Sequence, residues 1–238
     1  FGENDRCADE NRAKLDAAGV VAVNMMSSPG AGKTAILRQT LASLPHPSRV
    51  GVIEGDIETS IDADRLAGFG AQIALLNTSN GFGGECHLDA PMVTSALARL
   101  DLTAMDLLFI ENVGNLVCPA EFDVGAHHSV MVYSITEGEE KPLKYPGMFR
   151  AVERVLVNKR DVLPPLDLYL ALSRRHLAPA HPSVAPARGS RPVSMLACVR
   201  RALRRTVSAA RCCAGPLQRW KRRYWRAGSD AGAPRPAR

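Results

Sequence analysis

The sequence is short of aromatic residues, of long apolar runs and, in its last third, of acids. Phe, Tyr and Trp make up 5% of 238 residues, so any core must be mainly aliphatic. No stretch approaches the roughly 18 consecutive apolar residues of a membrane-spanning helix, so no membrane span is expected. The six cysteines (Cys7, Cys86, Cys118, Cys198, Cys212 and Cys213) lack the spacing of a disulfide framework. A reducing, cytoplasmic setting is therefore expected. No signal peptide is visible, and the first residue is Phe1 rather than Met. There is no internal repeat and no histidine-rich stretch.

The missing acids divide the chain. Residues 1–170 carry 14 Lys and Arg against 23 Asp and Glu, a net of −9. Residues 171–238 carry 16 Lys and Arg against one acid, Asp230, a net of +15, which gives the overall +6. The sequence thus reads as an acidic domain over 1–170 and an Arg/Pro/Ala-rich basic tail over 171–238.

Within the first part, apolar strands alternate with helices. "VVAVNMMSS" (20–28) is a continuous apolar run suited to a buried parallel strand. "RVGVIEGD" (49–56), "QIALLNT" (72–78), "DLLFIENVG" (106–114), "SVMVYSIT" (129–136) and "RVLVNKRD" (154–161) repeat the pattern. Helices are expected over 3–18, 34–44, 58–70 and 88–100. This alternation predicts an α/β fold with a mostly parallel sheet and helices on both faces. Ligands of such sheets bind beyond the carboxyl ends of the strands.

"SSPGAGKT" (27–34) follows the first strand and opens a helix, as a phosphate-binding loop must. Ser27 stands where the pattern G-x-x-x-x-G-K-[ST] has its first glycine. Ser28, Gly30, Ala31 and Gly32 would offer backbone to the phosphates, Lys33 would reach the β/γ-phosphates and Thr34 would hold Mg²⁺. "NKRD" (158–161) ends a late strand, and Asn158, Lys159 and Asp161 suit guanine: the aspartate accepts from the base and the lysine stem lies on it. GTP is therefore favoured over ATP. Asp56 and Glu111, at strand ends, are candidates for Mg²⁺ or water positioning, and Gly114 for a backbone N–H toward the γ-phosphate. Cys86, His87 and Cys118 form a set of Ni²⁺ or Zn²⁺ ligands that one chain leaves incomplete and a homodimer could complete.

"NMMSSPGAGKT", "VIEGDIETSIDADR", "CHLDAPMV", "LLFIENVGNLVCPAEFD", "TEGEEKPLKYPGMFR" and "VNKRD" together resemble the hydrogenase nickel-incorporation GTPases (HypB-like proteins). The resemblance covers about residues 11–168. It implies a SIMIBI-type P-loop GTPase that dimerises under the control of nucleotide and metal. It further implies nickel delivery during [NiFe]-hydrogenase maturation, with a maturation partner protein and the hydrogenase large subunit as partners. Lys33, Thr34, Asp56 and Glu111 would be the phosphate and Mg²⁺ groups, and Cys86, His87 and Cys118 interface metal ligands. In that family Ser replaces the first loop glycine, so Ser27 fits. Lys141 and Lys144 fall in a stretch the family uses near the nucleotide. Neither membrane nor nucleic acid is an expected partner.

Two departures stand out. The loop "TSNGFGGE" before Cys86 is longer than the family's glycine turn. After about Leu170 the family's remaining strand, guanine loop and final helix are not legible. One reading of the tail is a basic arm, with "QRWKRRYWR" (218–226) suited to stacking on bases. The other is sequence read out of frame, which would leave the fold without its last strand and helix. That loss opens a contrasting function, a metal-binding adaptor with little GTP turnover.

Overall fold

In the computed structural model, residues 2–56, 66, 68–78 and 86–159 are described. The expected helix over 58–70 lies largely outside them. The glycine-rich loop 79–85, Asp161 and the tail from 171 lie wholly outside.

Six strands form one sheet in the order β3-β2-β4-β1-β5-β6, with every pair parallel. They are β1 (Val21–Ser27), β2 (Val50–Asp56), β3 (Gln72–Asn77), β4 (Leu107–Glu111), β5 (His128–Ser134) and β6 (Arg154–Asn158). Among the described residues the α-helices are α1 (Gly2–Ala18), α2 (Lys33–Ser43), α3 (Ala90–Leu97), α4 (Lys141–Lys144) and α5 (Pro146–Ala151). Because the central strands are covered on both faces, they read as unbroken apolar runs rather than alternating ones.

Alternate strand residues point to opposite faces, and the packing follows that rule. Val21, Val23 and Met25 of β1, Val50 and Val52 of β2, and Leu107 and Phe109 of β4 pack with Ile36, Leu37 and Leu41 of α2. Ala22, Ile53, Leu108 and Ile110, one residue out of step, pack with Leu15 of α1 and with Val93, Ala96 and Leu97 of α3. On β5, Met131 and Tyr133 turn instead to Met148 and Phe149 of α5. The Tyr133 and Phe149 rings meet edge to face at 5.8 Å.

The helix expected over 88–100 is shorter. Asp89 accepts from Met92 N–H at 2.8 Å and starts α3 as its N-cap, with Pro91 in the first turn. The mainly polar α1 is anchored by two asparagines. Asn4 Nδ2 donates to Asp123 O, and its Oδ1 accepts from Ala90 N, both at 2.9 Å. Asn11, fully buried, donates to Ala90 O at 2.9 Å and Val124 O at 3.4 Å, and its Oδ1 accepts from Thr94 Oγ1 at 2.8 Å. Removing a side chain that satisfies several buried groups costs the desolvation of each. Asn11→Ala is therefore expected to lower unfolding stability by about 2–3 kcal/mol, read from urea titration.

His127 joins α1 to the sheet. Its Nδ1 accepts from Ala22 N–H at 2.9 Å, so the proton sits on Nε2, which faces Asp16 Oδ1 at 3.2 Å. Burial pushes His127 below its ordinary value of 6.5, with Asp16 opposing. A depressed histidine favours the folded state fully above its unfolded value. That contribution is lost as pH falls toward the folded value, because the unfolded chain takes up the proton first. Unfolding free energy should fall as pH drops through the ordinary histidine value of 6.5, and His127→Gln should flatten part of that slope.

Candidate functional site at the carboxyl ends of the strands

The chain leaves β1 at Ser27 and turns over Gly30 and Gly32 into α2. Both glycines have positive φ, +67° and +99°. A Cβ on Gly32 would lie 2.5 Å from Asn158 Nδ2, so this position has neither the conformation nor the space for a side chain. The loop is braced from β6, where Asn158 Nδ2 donates to Ala31 O at 2.9 Å and Lys159 Nζ to Gly30 O at 2.7 Å. Lys159 is itself in the left-handed region at φ +56°. Two of the residues expected to read guanine thus touch the loop expected to hold phosphate. Asp161 lies outside the described residues.

Ser27 is fully buried, accepts from Lys33 Nζ at 2.9 Å and donates to Ser28 O at 2.6 Å. The residue at the first glycine position therefore holds the lysine head in place. Thr34 Oγ1 donates to Glu111 Oε1 at 2.8 Å. Gly114 lies against the loop from the other side, where a Cβ would come within 2.8 Å of Pro29 Cα. Asp56 closes β2, in register with Asn77 of β3.

Three residues the sequence reading left out of the site belong here. Glu54 is buried and stands in register with Glu111, also buried. The Thr34 hydroxyl and the Glu111 carboxylate are oxygen donors of the kind Mg²⁺ takes, and Glu54 stands beside Glu111 on the same face of the sheet. Spacing offered a signal, since Glu54 shares its face of β2 with Val50 and Val52. Glu137 accepts from Ser28 Oγ through Oε2. Its Oε1 accepts from Ser134 N–H at 3.3 Å. Asn112, between Glu111 and the Gly114 loop, is the third.

Cys86, His87 and Cys118 offer ligand atoms that all lie within 4.8 Å of one another. The Cys86 and Cys118 sulfurs are 3.0 Å apart, and Cys86 Sγ is 3.9 Å from His87 Nδ1. Cys118 opens a 3₁₀ turn, Cys118–Ala120, on the loop that leaves β4. Asn115 ties that loop to the other segment, donating to Cys86 O at 3.2 Å. Phe122 lies against the His87 ring at 4.1 Å between centroids. The Cys86 thiol hydrogen-bonded to it pushes Cys118 above its ordinary value; burial adds to this and the Asn115 side chain opposes it. Two thiols and an imidazole at this spacing fit a thiophilic divalent ion such as Ni²⁺ or Zn²⁺.

A family model described as CobW/HypB/UreG, nucleotide-binding domain, matches residues 21–182. The chain belongs to this family. It is 53% identical over 167 residues to hydrogenase maturation factor HypB of Azotobacter vinelandii, a match covering 70% of this chain and 54% of that protein. The chain thus spans about half the length of that curated relative. Among solved structures it is similar to HypB from Helicobacter pylori in complex with nickel, with a TM-score of 0.73 and 30% identity over 90% of this chain and 99% of that one. It is equally similar to HypB from Archaeoglobus fulgidus, with a TM-score of 0.73 and 30% identity over 85% and 99% of the two chains. The expected SIMIBI-type α/β fold is the one found. Among the described residues no helix is long and apolar enough to cross a membrane.

Proposed function

We propose that this domain hydrolyses GTP and uses the cycle to gate nickel transfer during [NiFe]-hydrogenase maturation. The observation that carries the reading is one short segment with two contacts. The chain that gives Glu111 to Thr34 reaches Cys118, beside Cys86, seven residues later.

Lys33, Thr34 and the backbone from Ser28 to Gly32 would hold the phosphates, with Gly114 closing over them. Asn158, Lys159 and Asp161 would read guanine. Thr34, Asp56 and Glu111 would hold Mg²⁺, which supplies neutralisation of the phosphate charge when bound. Lys33 is already held by Ser27, so its ammonium is positioned before any phosphate arrives. Electrostatic catalysis needs this kind of preorganisation. Nickel is cargo, and Cys86, His87 and Cys118 are its ligands. Three ligands on one chain leave a four-coordinate ion one short, so pairing of two copies at this site would complete the sphere and form the homodimer. Transfer would then run to a maturation partner protein and the hydrogenase large subunit, in the cytoplasm.

Nickel titration followed by size-exclusion chromatography, with and without a GTP analogue, tests this reading. A shift from one copy to two on adding both is the expected result. A single copy under all conditions would overturn the shared site. Nickel uptake without measurable GTP turnover would favour the metal-binding adaptor.

A further inference from the structure

We propose that Asn112 is a positioning residue that couples the phosphate loop to the Cys86–His87–Cys118 cluster. The inference rests on the reading that the domain binds GTP and nickel.

Asn112 is fully buried, and its backbone N–H and both polar atoms of its side chain are engaged. Its backbone N–H donates to Met25 O at 3.0 Å, and its Nδ2 donates to Asn24 Oδ1 at 3.3 Å. Both partners lie on β1, two and three residues before Ser27. Its Oδ1 accepts from Leu88 N–H at 2.9 Å and from Val113 N–H at 3.0 Å. Leu88 follows the Cys86–His87 pair directly. One amide side chain therefore joins the strand that feeds the phosphate loop to the segment that carries two metal ligands.

Its neighbours in sequence extend the link. Glu111 accepts the Thr34 hydroxyl, and Gly114 lies on Pro29. A cation that takes a lone pair of the Thr34 oxygen leaves its O–H on Glu111 and acts on that carboxylate through the bond, and the next peptide is that of Asn112. If Asn112 shifts, a buried Leu88 N–H either follows it or loses its acceptor, and a lost acceptor in a buried place is costly. The acceptor therefore transmits the state of one site to the other. Such coupling is reciprocal: each ligand changes the affinity of the other by the same factor.

The test uses the full 238-residue chain, nickel and a non-hydrolysable GTP analogue. The analogue is expected to shift the nickel Kd by about tenfold, and nickel to shift the analogue Kd by the same factor. In Asn112→Ala the factor should fall to near one. In Asn112→Asp, which keeps the acceptor for Leu88 while the Asn24 amide turns to donate, most of it should return. Hydrogen exchange on the unsubstituted chain gives a second measurement, independent of whether Asn112→Ala folds. The Leu88 amide should change its protection when the analogue binds. An unchanged factor in Asn112→Ala, or unchanged exchange at Leu88, overturns the inference. So does binding of both ligands without mutual effect. Failure of the unsubstituted chain to bind either ligand would instead overturn the underlying reading.

Discussion

Lys33→Ala is expected to lower GTP hydrolysis by about 100-fold or more, since deleting one preorganised charge-stabilising group costs on that order in kcat. Nickel binding by Cys86, His87 and Cys118 should stay within a few-fold of normal, because Lys33 is not one of the three ligand residues and its ammonium is bonded to Ser27 at the end of β1. The split between the two readouts carries the information. A merely structural lysine would leave hydrolysis intact or would damage both activities through loss of fold. A radiolabelled or phosphate-release assay gives the first quantity and a chelator competition the second. In cells that need the protein for hydrogenase maturation, loss of maturation with nickel binding retained supports gating by GTP. Unchanged maturation would sink it.

Cys118→Ala should weaken nickel binding by about 100-fold or more, beyond the 10–100-fold typical of losing an outer-shell partner. The sulfur of Cys118 stands 3.0 Å from that of Cys86. Removing it leaves one thiol and one imidazole, too few to hold a divalent ion tightly. Binding also releases the thiol protons, so affinity in the unsubstituted chain should rise with pH. Cys118 is held above its ordinary value by Cys86 and by burial, which carries that rise to higher pH. Competition against a chelator of known nickel affinity, repeated across pH, measures both effects. Wild-type affinity in Cys118→Ala would remove this residue from the ligand set.

Much of the fold was legible in sequence, for a physical reason. Strands such as Val21–Ser27 and Leu107–Glu111 are buried on both faces, and their composition shows it without knowledge of neighbours. The loop at 27–34 and the N-K pair at 158–159 that braces it are local spacings, and a local spacing is visible in one dimension. What stayed hidden depends on which strands become neighbours. Glu54 and Glu111 meet because β2 lies beside β4. Ser28 meets Glu137 across 109 residues because β1 lies beside β5. Neither adjacency follows from strand composition. The asparagines of α1 were equally silent: a mostly polar helix reads as a solvated one, and only the fold shows Asn11 in the interior.

Strand β4 also carries a rule of parity. Leu107, Phe109 and Glu111 face the side of α2, whereas Leu108, Ile110 and Asn112 face the side of α1 and α3. The contact with Thr34 thus belongs to an odd position of this segment and the contact with Leu88 to an even one. Deleting one residue from β4 would turn Glu111 to the side of α1 and α3, bring Asn112 to Thr34 and leave Val113 facing Leu88, with no acceptor in its side chain. Deleting two would shorten the strand yet keep each side its own kind of residue. For a lineage drifting through insertions and deletions, the sheet is a ratchet that advances only in steps of two.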